Sequence, residues 1–448
     1  MDKNDEMTVA EKIKAVRNVM GIHQDELAKA ANCGAGTISR IENGHSQYTD
    51  KQLNDVRKLL GIDNAPLFDS EIVIFRARLY VWRRAMRERR IEDARRMLNE
   101  LEIITKMLFR EQLIQLYKIF EANLMIAEGN VSAAETALEQ ISSSLKGACV
   151  ENLYHYYCCV GTLDFYKKDY NAALQSYFSA HDLKYDEFLV DKSELVFALY
   201  YNIAYCYAYL GMYVRAIATL ERIYELYSFD ISNNDGMRAD NLLAVNYMWI
   251  GDIDRAKHLL NNCMVKARST SHHGYMGTIL HNFGCVHLKL QEYEKALEYF
   301  GKAFEYYKKG QGNYLENLYY EILCLIATKS SLSNKRLSYA KSVASNNEHY
   351  KLLFDSLEHL TSLKGDSESA KHIEQTTITY LAEKREYFRT IEYCRLLESF
   401  YMKKPNRIKA LEMKSLAYDI YRKSVEGSED DEKEIIRPVF GYGNSIEL

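Results

Sequence analysis

The stretch NIAYCYAYLGMYVRAIATL, Asn202–Leu220, reads as two apolar helical runs broken at Gly211, with Tyr213 two places beyond the break and Ala216 three beyond that. The same arrangement of turn residue, any residue, bulky apolar residue, two residues and alanine recurs in RRIEDA, GNVSAA, KDYNAA, GDIDRA and QEYEKA. The alanines, Ala94, Ala134, Ala173, Ala216, Ala256 and Ala296, fall 40, 39, 43, 40 and 40 residues apart. GDSESA, ending at Ala370, and KPNRIKA, ending at Ala410, continue the series, with a degenerate unit around Asn334–Ala340 between. So regular a period marks a repeat architecture. Each unit is a helical hairpin in which a small residue such as Ala204 or Gly284 lets two helices approach, and the aromatic and the alanine seal them. One hairpin cannot bury both its faces, so neighbours must stack into a right-handed α-solenoid whose groove is lined by the first helix of each pair.

Composition agrees with an all-α fold. Three prolines in 448 residues and 27% charged residues suit long amphipathic helices with wet outer faces. The formal net charge of -4 argues against coating nucleic acid along the whole chain, but permits a small DNA-reading face. The start, MDKNDEMTVAEK, lacks a signal-peptide pattern, and no window approaches the ~18 uninterrupted apolar residues of a membrane span, so a cytoplasmic protein is expected. Nine cysteines without CxxC spacing, such as Cys206, read as reduced core residues. His272, His273, His281 and His287 have no HExxH pattern or cysteine pair beside them, so no metal is expected, and no cofactor. No nucleophile, base and orienter fall together and no glycine-rich phosphate loop is present, so no enzyme activity is expected.

Residues 8–62 follow a different pattern. TVAEKIKAVRNVM, QDELAKAA, AGTISRIEN and TDKQLNDVRKLL read as short helices. Thr8 with Glu11 forms a capping box, Gln24 opens the second helix after a stop at Gly21, and Thr49 or Asp50 caps the fourth. Ile13, Val16, Leu27, Ala28, Ile38, Ile41, Val56 and Leu59 supply one small core. The tight link around Gly34 sets the second and third helices at a steep angle. Thr37 and Arg40 then lie opposite Ile38 and Ile41, within reach of base edges, while Ala35 and Gly36 allow close approach to the groove. Arg17, Gln24, Asn43 and His45 flank this face and are expected to hold phosphates. The segment closely resembles the Xre/Cro type of helix-turn-helix, through Ile13, Lys14, Arg17, Gly21, Gln24, Leu27, Ala28, Ile38, Ser39, Glu42 and Gly44. The resemblance implies a DNA-binding unit, with Ser39 among its contacts.

The repeats resemble tetratricopeptide repeats, with a period longer than the standard ~34. In that geometry the residues nine or ten and six places before the turn face the concavity. The rule selects Asn202 and Tyr205, Asn241 and Val245, and His281, Asn282 and Cys285, so an asparagine recurs at 202, 241 and 282. An amide offers donor and acceptor together, as a bound peptide backbone requires. Arg238, one turn before Asn241, is placed to meet a carboxylate, and Tyr201, Tyr205 and Trp249 are candidate groove walls. Between Arg76 and Arg96 nine arginines stand against three acids, which reads either as a phosphate- or partner-binding face or as a solvated face with internal ion pairs.

One Xre-type unit followed by about eight or nine such hairpins is similar to the RRNPP group of peptide-pheromone receptors, nearest its NprR type. The expected domains are 1–65 for DNA binding, 66–424 for peptide sensing and 425–448 as an acidic tail. The resemblance implies a transcriptional regulator whose partners are double-stranded promoter DNA, a short linear signal peptide and a second copy of the chain as a homodimer. The alternative is a Rap-like regulator or phosphatase acting on a response-regulator protein, for which Gln112 and Gln115 are the candidate glutamines.

Overall fold

The computed structural model describes residues 8–426 except 21, 61–69, 88–89, 109–110, 146–147, 184–191, 228–232, 270–272, 363–366 and 403–406. All regular structure among them is helical. Four short helices come first: α1 (Val9–Met20), α2 (Gln24–Ala30), α3 (Ala35–Glu42) and α4 (Asp50–Leu59). The capping boxes form as the sequence spacing predicts. The Thr8 amide donates to Glu11 at 2.7 Å and the Glu11 amide donates back to the Thr8 hydroxyl at 3.3 Å. Thr49 and Gln52 repeat the exchange at α4, and Gln24 opens α2 as expected, with His23 as its cap. Gly21 lies outside the described residues. Between α2 and α3 the left-handed residue is Asn32, at φ 50°, whose short polar side chain tolerates that region. Gly34, at φ -83°, is the extended N-cap of α3.

Ile13, Leu27, Ala28, Ala31, Ile38, Val56 and Leu60 form the small core, and Ile41 is buried too. Leu59 is a correction: it is 40% exposed and Leu60 takes its place at 1%. A step of one residue turns a side chain by about 100° on a helix, so the end of an amphipathic run is easily misassigned by one. The side chain of Val16 lies outside the described residues. Ala77 of α5 (Ser70–Arg87) closes this core, so α5 serves both the module and the first hairpin.

The hairpins follow: α5 with α6 (Ile91–Leu108), α7 (Glu111–Ala127) with α8 (Val131–Ser144), and α9 (Val150–Tyr166) with α10 (Tyr170–His181). Next come α11 (Lys192–Tyr209) with α12 (Tyr213–Tyr227), α13 (Asn233–Ile250) with α14 (Ile253–Ser269), and α15 (His273–Lys289) with α16 (Tyr293–Ala303). The last are α17 (Gly312–Ala327) with α18 (Ser333–Val343), α19 (Glu348–Ser362) with a helix made of α20 (Ser367–His372), a π-helical turn Ile373–Ile378 and α21 (Thr379–Glu383), and α22 (Tyr387–Met402) with α23 (Arg407–Glu426). The motif alanines Ala94, Ala134, Ala173, Ala216, Ala256 and Ala296 are all at 0% exposure, as are Ala340 and Ala370, with Ala410 at 1%. The degenerate and late units therefore keep the same seal. Beside Gly284 an added Cβ would lie 2.4 Å from the Phe300 ring, which is why this helix contact needs glycine. Turns that end first helices take a left-handed residue, Gly129, Lys168, Gly211, Gly251, Gln291 and Lys329, and Arg385 does the same between α21 and α22.

The chain divides into two compact units, Met1–Leu199 and Tyr200–Leu448. The expected boundary at 65 falls in the undescribed stretch 61–69, and most of the expected acidic tail falls in 427–448, also undescribed. No helix among the described residues is long and apolar enough to cross a membrane, and no group of three His, Cys, Asp or Glu side chains there could hold a metal ion.

Candidate functional site

In the first unit, Glu42 is the polar centre of the N-terminal module. Its buried carboxylate accepts from Arg17 Nε at 2.6 Å and Nη2 at 2.9 Å, and from Gln24 Nε2 at 2.7 Å. Arg17 Nη1 also donates to the Ile22 carbonyl at 2.8 Å. Burial would raise the Glu42 pKa, but the hydrogen bonds from Arg17 and Gln24 outweigh it and hold the group below its ordinary value. The network ties α1, α2 and α3 together. This corrects the phosphate role expected of Arg17, whose guanidinium is committed inside the module, and it commits the Gln24 amide nitrogen likewise. Lys14 Nζ donates to Asn43 Oδ1 at 3.4 Å.

Because Ile38 and Ile41 take the inner side of α3, its outer side carries Gly36, Thr37 and Arg40, all exposed, with Ser39 half-buried and Asn43 and His45 exposed just beyond. Ala35 packs partly against the module core. The arginine-rich segment is mostly paired. Arg87 Nη2 meets Glu194 at 2.6 Å, Arg90 meets Asp93 at 2.8 Å, Arg95 bonds Glu128, Arg96 bonds Asp93 and Arg78 lies 3.6 Å from Glu100. Side chains of Arg76 and Arg89 are outside the described residues. Of the two candidate glutamines, Gln115 is buried and structural: it donates to the Ser144 carbonyl at 2.9 Å and accepts from Asn152 at 3.1 Å. Gln112 is exposed at the start of α7.

In the second unit the first helices share one half-buried face. On α11 the Tyr201 and Tyr205 rings stack at 5.8 Å with Asn202 beside them. The Arg238 guanidinium on α13 lies 4.5 Å from the Tyr201 ring centre, and its Nη1 is 3.4 Å from Asp235. Asn282 Nδ2 donates to Asn241 Oδ1 at 2.8 Å, bridging α15 and α13. That bond uses one donor and one acceptor, leaving the Asn241 amide nitrogen and the Asn282 carbonyl oxygen as a complementary pair. Val245 is half-buried on the same row.

His281 and Cys285 are half-buried, as Asn282 is, and both also engage neighbouring helices. Asn317 Nδ2 donates to the Phe300 carbonyl, so its Oδ1 must accept from His281 Nδ1 at 3.0 Å. His281 is thereby the Nδ1–H tautomer, with Nε2 3.5 Å from Cys285 Sγ. Burial lowers its pKa, and the ring packs on Phe300 and Tyr320. Cys285 belongs to the cluster around Ala296, Phe300 and Cys324, where burial pushes its thiol pKa well up. They share a helix face with Asn282, and side chains of α16 and α17 pack against them.

Trp249 joins distant repeats. Its ring stacks on Tyr213 at 6.0 Å, meets Phe388 of α22 at 4.3 Å, and carries the Lys289 ammonium 4.6 Å from its centre. Beside it runs a buried charge network that the sequence reading missed. Arg389 Nη2 donates to both Glu316 oxygens, at 2.5 and 2.6 Å, its Nη1 reaches Glu386 at 3.3 Å, and Tyr350 donates to Glu316 at 2.9 Å. Burial acts to raise the Glu316 pKa, yet Arg389 holds it low. The available signal was the spacing Glu386, Arg389, Glu392, three residues apart at the head of α22.

The sequence matches a helix-turn-helix family at residues 13–63 and tetratricopeptide repeat families at 198–229 and 237–309. No curated protein matches it. Among solved structures, a Rap protein complexed with Competence and Sporulation Factor superposes with a TM-score of 0.68 at 14% identity, covering 79% of this chain and 99% of that one. The apo quorum sensor NprR from B. thuringiensis gives 0.63 at 18% identity, again with 79% and 99% covered. NprR with its cognate peptide NprX gives 0.60 at 19%, covering 77% and 99%. At such identities the likeness is one of fold. In architecture the chain is a helix-turn-helix module followed by tetratricopeptide repeats, an all-α fold shared with these Rap and NprR structures.

Proposed function

We propose that the protein is a peptide-responsive, DNA-binding transcriptional regulator. The observation that carries this reading is the presence in one chain of a helix-turn-helix with Thr37 and Arg40 exposed on α3, and of half-buried amides at one repeat spacing, Asn202, Asn241 and Asn282, on α11, α13 and α15. A short extended peptide alternates carbonyl and amide groups, which the remaining halves of the Asn241–Asn282 pair and Asn202 complement. Arg238 suits a carboxylate of the peptide. On the DNA side, Thr37 and Arg40 read base edges, Ala35 and Gly36 allow close approach to the groove, Ser39 adds a contact, and Asn43 and His45 hold phosphates. The unit acts as a two-fold dimer on half-sites about 34 Å apart, and peptide binding shifts the population of dimers with the competent spacing.

The test is calorimetry of the purified full chain against short peptides encoded beside its own gene, followed by promoter-binding anisotropy with and without the peptide that binds. Asn202→Ala is expected to weaken peptide binding about tenfold while Arg40→Ala abolishes promoter binding with peptide affinity intact. Unchanged peptide affinity in Asn202→Ala removes the amide ladder, and unchanged promoter affinity in Arg40→Ala removes α3 as the reading helix.

A further inference from the structure

Glu392 lies on α22, one turn beyond Phe388 and therefore on the same helix face, about 6 Å along the axis. Phe388 packs on Trp249 at 4.3 Å, and Trp249 stacks on Tyr213, whose phenol also feels the Glu392 carboxylate. Glu392 is half-buried, and among the described residues it makes no hydrogen bond or ion pair. The cations near it make no ion pair with it. Arg389 is held by Glu316 and Glu386, Lys289 donates to the Trp249 carbonyl at 3.2 Å, and Arg395 is exposed. The carboxyl accordingly titrates near 7, because burial outweighs the pull of Arg389, Arg395 and Lys289.

A second observation marks the same place. Arg389 Nε is buried and has no acceptor, although both of its Nη atoms are engaged. An orphan donor and an acceptor without a partner, one turn apart and beside three aromatic rings, are complementary to a peptide carbonyl followed by a cation. The Lys289 ammonium over the Trp249 ring shows that this ring already accommodates positive charge.

We propose that Glu392, walled by Tyr213, Trp249 and Phe388, is the specificity-determining seat for a cationic group of the bound peptide. This rests on the peptide-receptor reading above. The cation is the ammonium or guanidinium of a basic side chain, or the peptide's own N-terminal ammonium. On entry it forms a direct ion pair with the ionised carboxylate and stacks on the rings, and the preceding carbonyl accepts from Arg389 Nε.

The test is panning of the immobilised full-length protein against positional-scanning hexapeptide libraries, one with free N-termini and one N-acetylated. Wild type is expected to enrich lysine and arginine over alanine at one position by about tenfold or more, a charge-assisted contact's usual effect. Preference kept in the acetylated library assigns a side chain; preference lost on acetylation, with free peptides still enriched, assigns the terminus. Glu392→Gln is expected to erase that preference without changing the apolar positions, Glu392→Asp to retain it, and Glu392→Lys to replace it by aspartate or glutamate at the same position. Thermal melts of each variant confirm folding, and Glu392→Gln, nearly isosteric, keeps the test decisive if Glu392→Lys does not fold. Basic preference undiminished in Glu392→Gln, or enriched wild-type peptides without a cation, overturns the assignment while leaving the receptor reading in place. Absence of any enriched peptide removes both.

Discussion

Replacing Glu42 by alanine takes away the carboxylate that Arg17 and Gln24 share. The side chain of Glu42 is at 0% exposure and that of Arg17 at 11%, so the variant strands a guanidinium in the module's interior with only the Ile22 carbonyl left to it. Breaking a buried ion pair from one side typically costs about 3 to 5 kcal/mol. At about 1.4 kcal/mol per factor of ten, that is an increase of roughly two to three and a half orders of magnitude in the population of the opened module. Hydrogen exchange on the full-length chain reads this directly: amides of α1 to α3 that exchange only on opening should speed up by that factor, while α13 to α17 keep their protection. Glu42→Gln, which keeps an acceptor, should cost less. The same pair fixes the pH response. Because the folded Glu42 pKa lies below its unfolded value, its contribution is fully present above the ordinary carboxylate range and is lost as pH falls through the folded value. Acceleration of less than about tenfold in Glu42→Ala would refute the view that this network holds the three helices together.

Gln291→Gly should stabilise the chain by about 0.5 to 1 kcal/mol, seen as a raised denaturation midpoint, because Gln291 is exposed and held at φ 59°, where glycine is unstrained. Gly284→Ala should destabilise by about 1 to 3 kcal/mol in the same assay, since the new methyl collides with the Phe300 ring. Glu392→Gln should stabilise the protein by roughly 1 to 3 kcal/mol at pH 8 and have little effect at pH 4. The sign follows from a folded pKa raised to about 7: the native state holds the extra proton between the ordinary carboxylate value and 7, so wild-type stability falls across that window as pH rises. Melting temperatures of both proteins from pH 4 to 8 check it, and parallel curves would contradict it.

The repeat was legible because it is local. A bulky residue and an alanine three places apart recur wherever two helices of one hairpin meet, and the contact that demands them, Ala216 or Ala256 against its own partner helix, is rebuilt in every unit. The helix-turn-helix was legible for the same reason, since caps at Thr8 and Thr49 and the apolar spacing of Ile13 to Val56 act within a few turns. What local pattern could not assign was the fate of polar side chains on a shared helix face. Asn282 and His281 are neighbours, yet Asn282 bridges to Asn241 while His281 is drawn under Asn317, because helices from adjacent repeats choose between them. Arg17 stands where a phosphate ligand is expected, yet Glu42, 25 residues later, occupies its guanidinium. The meeting of Trp249 with Phe388, and the Arg389–Glu316 pair across 73 residues, come from how hairpins accumulate along the solenoid. Periodicity therefore determined which helices exist and which side seals each hairpin; stacking alone determined which charges are neutralised and which, like Glu392, remain without a partner, because desolvation and pairing depend on neighbours that sequence distance does not reveal.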